Sequence, residues 1–173
     1  ALALHTEPLL PWCRWITPRQ ASVTNKRFDT RFFVAVLPVG QQPVHDNIEA
    51  IDSVWLSPRE ALDRYWAGGL PLAPPQIMTL SQVSRLGKVA DLLAAARSRP
   101  PALIAPEPFD GDGQRVICYP GDPAHSIAER VWPGPTRLTH RNRRFEPEGG
   151  LAALLGCFGA QPSHPHATEE HAK

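Results

Sequence analysis

The 173 residues, 42% of them hydrophobic and carrying a formal net charge of +1, suffice for one domain with its own core and are too few to favour two ordinary ones. So even a balance excludes a global field that would gather nucleic acid or an acidic surface, and no apolar run reaches the ~18 residues of a membrane span. Pro, Arg and Trp interrupt the opening residues, where a secretory leader needs an unbroken apolar stretch, so the chain reads as soluble and cytoplasmic. Cys13, Cys118 and Cys157 lie far apart with no CxxC pair, which predicts reduced, buried thiols rather than a disulfide framework or a zinc site.

In chain order, RWITPRQASVTNKRFDTRFFVAVLP (Arg14 to Pro38) runs from a polar, charged turn straight into an apolar segment. Phe32 to Leu37, aromatic and branched and closed by Pro38 and Gly40, predicts a strand buried on both faces. Ser53 to Leu56 predicts a second, short strand. Ser57-Pro58-Arg59-Glu60 then supplies an N-cap, a proline at N1 and a glutamate at N3, which opens a helix over Pro58 to Trp66 that Gly68-Gly69 ends. LPLAPPQ excludes regular structure, but from Gln76 the spacing of Ile77, Leu80, Val83, Leu86, Ala90 and Leu93 predicts one long one-sided helix as far as Arg99. Beyond Pro100-Pro101, FDGDGQRVICYPGD predicts a hairpin-rich appendage with a strand over Arg115 to Tyr119 and a turn at Pro120-Gly121-Asp122. From Ala160 the chain is polar and aperiodic, which predicts a disordered, solvated tail despite His164, His166 and His171.

Three groups of residues are candidates for chemistry. With a period of two, Arg27, Asp29 and Arg31 share one face of an incipient strand, either a solvated entrance or a binding face. Asp46, Glu49 and Asp52, at a spacing of three within HDNIEAIDSVWLSPREAL, form either an acidic surface loop or a set of oxygen donors for a hard divalent ion. Arg137, His140, Arg141, Arg143 and Arg144 make the densest charge; only Phe145 is near to stack on a base, which disfavours single-stranded RNA and leaves a solvated edge or a phosphate contact.

The order WITP, RFDTRFFVAVLP, HDNIEAIDSVWLSPREAL, GLPLAPPQIMTL, over Leu9 to Leu93, resembles the Nudix hydrolases, in the branch of the acyl-coenzyme A diphosphatases. YPGDP (Tyr119 to Pro123) and TRLTHRNRRFEP (Thr136 to Pro147) are similar to the C-terminal extension of that branch. The resemblance implies an enzyme that uses Mg2+ or Mn2+ to cut a nucleoside diphosphate linked to another group, here coenzyme A or its acyl esters. It implies that Arg27 holds phosphate with Asp29 orienting it and Arg31 beside them at the cleft mouth. It also implies that Glu49 serves as a catalytic carboxylate, as a metal ligand or as the base for the attacking water.

The defining Nudix box, G-x5-E-x7-R-E-U-x-E-E-x-G-U, is not in this sequence; Arg59-Glu60 and Glu169-Glu170 do not sit in that pattern. In the family the box precedes the region matched here, and this sequence starts at Ala1 with Met78 its sole methionine, so the expectation is the C-terminal part of a longer protein, inactive by itself. The alternative is a non-catalytic ligand-binding or interaction module that has lost the box. The expected fold is α+β, a partial Nudix α/β/α sandwich with a C-terminal hairpin-rich extension. Residues 1–99 would carry the Nudix part, 100–159 the extension and 160–173 the tail. The expected partner is a small-molecule nucleoside diphosphate of coenzyme A type, with no nucleic acid and no membrane, and self-association left open.

Overall fold

Strand β1, Leu10–Ile16, is the centre of a three-stranded sheet, with β2 (Asp29–Val34) antiparallel on one side and β3 (Ala102–Ile104) parallel on the other. The computed structural model describes residues 6–18 and 27–156; Cys157 and the expected tail lie outside the described residues. A parallel pair needs a crossover. Helices α1 (Pro58–Trp66), α2 (Pro74–Ser84) and α3 (Val89–Ser98) occupy that long connection between β2 and β3.

The expected strand over Phe32 to Leu37 is corrected in place and in burial. It starts earlier, ends at Val34 and lies at the sheet's rim, and Phe33, Val36 and Leu37 are all substantially exposed. An apolar, branched composition favours extended backbone, but burial on both faces also requires layers to cover it. The central place belongs to LPWCRWI, where Trp12, Cys13 and Trp15 are buried despite Pro11 and Arg14. A register shift between Pro11 and Cys13 marks a bulge there. The expected strand over Ser53 to Leu56 is absent; that segment is irregular, with Val54 and Trp55 exposed.

Helix α1 forms over the residues expected of it. The Ser57 hydroxyl accepts the Glu60 N–H at 3.1 Å, Pro58 fills the first turn, and Leu62 and Tyr65 are buried. The single helix expected from Gln76 to Arg99 is two. The first begins at Pro74, because two prolines are harmless in an opening turn whose N–H groups lack partners, and the Gln76 side chain accepts the Ala73 N–H at 2.8 Å. LPLAPPQ is thus partly helical. The break comes after Ser84, where the Arg85 guanidinium reaches the Ala153 carbonyl at 2.9 Å and Gly87 weakens continuation.

The remaining strands, β4 (Glu107–Gly111), β5 (Gln114–Cys118), β6 (Arg137–Arg141) and β7 (Arg144–Glu146), form an antiparallel meander in chain order. Asp112-Gly113 and Asn142-Arg143 make the tight turns of its outer hairpins, with all four residues at positive φ. The strand expected over Arg115 to Tyr119 is β5, shifted by one residue. The connection from β5 to β6 bends at Gly121, φ +93°, where a Cβ would stand 2.8 Å from the Arg130 backbone. Helix α4 (Gly150–Leu155) closes the described chain.

The fold is α+β. Trp15 and Cys13 of β1, Leu62 of α1, Ile77 of α2, Leu138 of β6 and Leu154 of α4 belong to one buried cluster, so the meander packs into the same core as the first sheet rather than hanging from it. Cys13 and Cys118 are free and buried, as expected, and desolvation pushes both thiols up, Cys118 to about 11.

Candidate functional site

Because β1 and β3 run parallel, their C-terminal ends emerge side by side. Between them opens a cleft of about 680 Å3, with Ile16, Thr17, Pro18 and Arg27 on one wall and Ala105, Pro106, Glu107 and Pro108 on the other. Thr17 fastens the first wall: its N–H donates to the Phe28 carbonyl at 2.9 Å, and its hydroxyl accepts the Phe28 N–H at 2.9 Å. Its carbonyl also accepts the Arg27 guanidinium at 3.3 and 3.4 Å. Those last bonds are long and exposed, so the guanidinium can exchange them for a better acceptor.

On the facing wall Glu107 is held by Ser126, which donates its N–H at 2.9 Å and its hydroxyl. These bonds keep the Glu107 carboxyl below its ordinary range. Beside it, His125 accepts the Ile127 N–H on Nδ1 at 2.9 Å. Nε2 therefore carries the proton of the neutral ring and donates to the Ala105 carbonyl at 3.0 Å. Glu107 was not among the sequence candidates. It sits in no recognisable motif, and its partner lies nineteen residues away.

Of the sequence candidates, Arg27 lines the cleft. Asp29 and Arg31 share a face of β2, as their spacing implies, but Asp29 does not orient Arg27. It grips Arg14 of β1, whose Nε and Nη2 donate to its two carboxylate oxygens at 2.7 and 2.5 Å. The Arg14 bonds draw the Asp29 carboxyl below its usual range. Arg31 stands directly across from Arg14 on the neighbouring strand.

Glu49 lies in an exposed loop, and the three carboxylates of its group do not converge. Asp46 Oδ1 turns back to accept the N–H groups of Ile48, Glu49 and Ala50, each at 3.1 Å, and Asp52 accepts the Ser53 N–H at 2.8 Å. Both are thus engaged by their own backbone, as short acidic side chains in turns commonly are. Among the described residues no group of three or more His, Cys, Asp or Glu stands ready to hold a metal ion.

The basic cluster is largely tied inward. Arg137 holds the buried Asp122, Arg141 reaches Glu146 at 3.3 Å, and Arg144 donates to the Trp66 carbonyl at 3.1 Å while lying 4.2 Å above the Trp66 ring. Arg143 occupies the tip of the β6–β7 turn, and His140 packs edge-on against Phe145. A strip with its charges so engaged is a poor array for phosphates.

The family model of the NUDT19 Nudix domain matches residues 3–85, a span that includes Arg27, Asp29, Arg31 and Glu49. Over that span the chain is similar to a Nudix domain. The chain is 31% identical over 164 residues to nudix hydrolase 7 of Caenorhabditis elegans, an alignment covering 84% of the chain and 53% of that protein. It is 33% identical over 85 residues to acyl-coenzyme A diphosphatase NUDT19 of Xenopus laevis, covering 49% of the chain and 22% of that protein. With the Gallus gallus protein of the same name it shares 29% identity over 136 residues, covering 71% and 35%. The chain thus spans about half, or less, of the length of these relatives. No solved structure matches it significantly. Among the described residues no helix is long and apolar enough to cross a membrane.

Proposed function

We propose that this chain supplies the part of a Nudix hydrolase that follows the Nudix box, in an enzyme that splits the diphosphate of coenzyme A or an acyl-coenzyme A. On this reading residues 1–99 belong to a partial Nudix α/β/α sandwich, 100–159 extend the same domain and 160–173 form a tail, in a cytoplasmic protein. The observation that carries the proposal is Arg27 on the wall of a cleft of about 680 Å3, within the segment similar to the diphosphatases. A guanidinium at a cleft wall offers forked, charge-assisted donors to a phosphate oxygen. The apolar walls of Ile16, Pro18, Pro106 and Pro108 suit the less polar arm of such a ligand.

In the whole enzyme Glu49 is proposed as a catalytic carboxylate: exposed and with its side chain engaged by no described group, it is available to take the proton of an attacking water as a phosphorus–oxygen bond forms and the diphosphate bridge breaks. Mg2+ or Mn2+ is the family's expected ion; the side chains described here do not assemble a site for it. That same observation favours a second reading, a module that binds the ligand without hydrolysing it.

Amide chemical shifts of the chain during titration with coenzyme A test the proposal. Perturbations should gather at Thr17, Arg27, Ala105 and Glu107, and with Mg2+ or Mn2+ turnover should stay below about one per second. Perturbations confined to the β6–β7 turn around Arg143 would move the ligand elsewhere and overturn it.

A further inference from the structure

The connection from β5 to β6 is fastened to the cleft wall by one ring. The His125 side chain is 1% exposed, and each of its nitrogens has a fixed task. Nδ1 accepts the Ile127 N–H at 2.9 Å, the bond by which an Asn or Asp side chain closes a turn on the residue two ahead. Nε2 donates to the Ala105 carbonyl at 3.0 Å, between β3 and β4. Around this link the Gly121 N–H donates to the Ile127 carbonyl at 2.9 Å, the His125 N–H donates to the Asp122 carbonyl at 3.0 Å, and Ser126 donates twice to Glu107. A single side chain thus joins the turn at residues 125–127 to the wall that carries Ala105 and Glu107.

That link holds only for a neutral ring. A second proton would go to Nδ1, the nitrogen without one, and set N–H against N–H where the bond to Ile127 had been. Two effects act on that proton: burial opposes the charge, and the Glu107 carboxylate, 3.9 Å from Nε2, favours it. The Ser126 bonds hold the Glu107 carboxyl below its ordinary range, so the negative charge is in place wherever imidazoles titrate. The neighbouring ionisable groups do not compete for the ring. On the same connection Asp122 is taken by Arg137, Cys118 of β5 stays a neutral thiol while donating to the Glu107 carbonyl at 3.1 Å, and Arg27 stands on the opposite wall. We propose that His125 is an acid-operated switch. On protonation its ring gives up the Ile127 N–H and draws the Glu107 carboxylate toward Nε2, which frees the turn at 125–127 and reshapes the wall facing Arg27. The device rests on the contacts of this turn, whether or not the cleft takes a diphosphate.

The test is NMR of the full chain between about pH 7.5 and about pH 5, the span in which imidazoles commonly charge. It follows the ring nitrogens of His125 and the hydrogen exchange of the Ile127 amide, corrected for the intrinsic pH dependence of exchange. The ring should be the Nε2–H tautomer at the upper end and doubly protonated at the lower, and Ile127 protection should fall about tenfold or more across that step. The amides of Leu62 and Leu138, in the core, should keep theirs. His125→Asn supplies the control, because its amide oxygen accepts the Ile127 N–H as Nδ1 does but takes up no proton in this range. Ile127 protection in that variant should match wild type at the upper end and stay flat; should the variant lose the turn altogether, the wild-type arm decides alone. A ring that stays neutral down to about pH 5 overturns the proposal. So does a ring that charges while Ile127 keeps its protection, an equal fall in the Asn variant, or a fall shared by Leu62 and Leu138.

Discussion

The Tyr65 hydroxyl makes both hydrogen bonds of a strand partner to Phe145, donating to its carbonyl at 2.9 Å and accepting its N–H at 2.8 Å. One side chain of α1 thereby ties the helix to β7, eighty residues on, while its ring is buried in the core. Burial pushes the phenol's pKa up, so the hydroxyl keeps its proton to donate. Replacing Tyr65 with Phe preserves the ring and leaves the Phe145 N–H and C=O without it. Chemical denaturation should show a loss of about 1–3 kcal/mol. An unchanged midpoint would show that solvent reaches β7 freely.

Asp122 and Arg137 provide an acid-sensitive clasp. The carboxylate is buried, Arg137 forks onto both its oxygens at 2.7 and 2.5 Å, and Thr136 and the Ala124 N–H add further bonds at 3.0 and 2.9 Å. Burial alone would raise the carboxyl; Arg137 and the other donors outweigh it and hold the group below its usual range. A carboxyl depressed in the folded state stabilises above its unfolded pKa and loses that contribution as pH falls through the folded value. Asp122→Asn should therefore cost about 2–3 kcal/mol near neutrality, and its melting temperature should converge on that of wild type below about pH 4. A gap that stays constant down to strong acid would contradict this.

Glu49 and Asp46 should part company on substitution. Asp46 organises its loop by receiving three backbone N–H groups, which hold its carboxyl below the usual range, whereas Glu49 lends that turn only its backbone. Glu49→Gln should leave stability within about 0.5 kcal/mol of wild type, so any effect of that change on the whole enzyme would be catalytic. Asp46→Ala should speed hydrogen exchange at Ile48, Glu49 and Ala50 while the core amides keep their protection. Equal exchange in wild type and variant would show the turn to be unformed in solution.

What the sequence made legible was local. Ser57-Pro58-Arg59-Glu60 opens α1 because cap, proline and glutamate act within one turn, and Asp112-Gly113 turns a hairpin because both residues tolerate positive φ. What it hid depends on distant partners. The break between α2 and α3 follows a guanidinium drawn to a carbonyl 68 residues away, and the central strand carries a proline and an arginine that composition would assign to a loop. Glu107, on the cleft wall that faces Arg27, was not legible, since only the parallel pairing of β1 with β3 brings that wall opposite. The spacing of Asp46, Glu49 and Asp52 implied convergence, yet backbone N–H groups a few residues away claim two of the three carboxylates first.

Titration calorimetry of coenzyme A into the wild-type chain and its Arg27→Ala variant bears most directly on the diphosphate cleft. Arg27 is exposed and bonds only the Thr17 carbonyl among the described residues, so its removal should spare the fold and delete the cleft's charged donor. Saturable binding by wild type, weakened about tenfold or more in the variant, is the expected result. No binding by wild type, or equal affinity in both, would contradict the assignment of this cleft to a diphosphate.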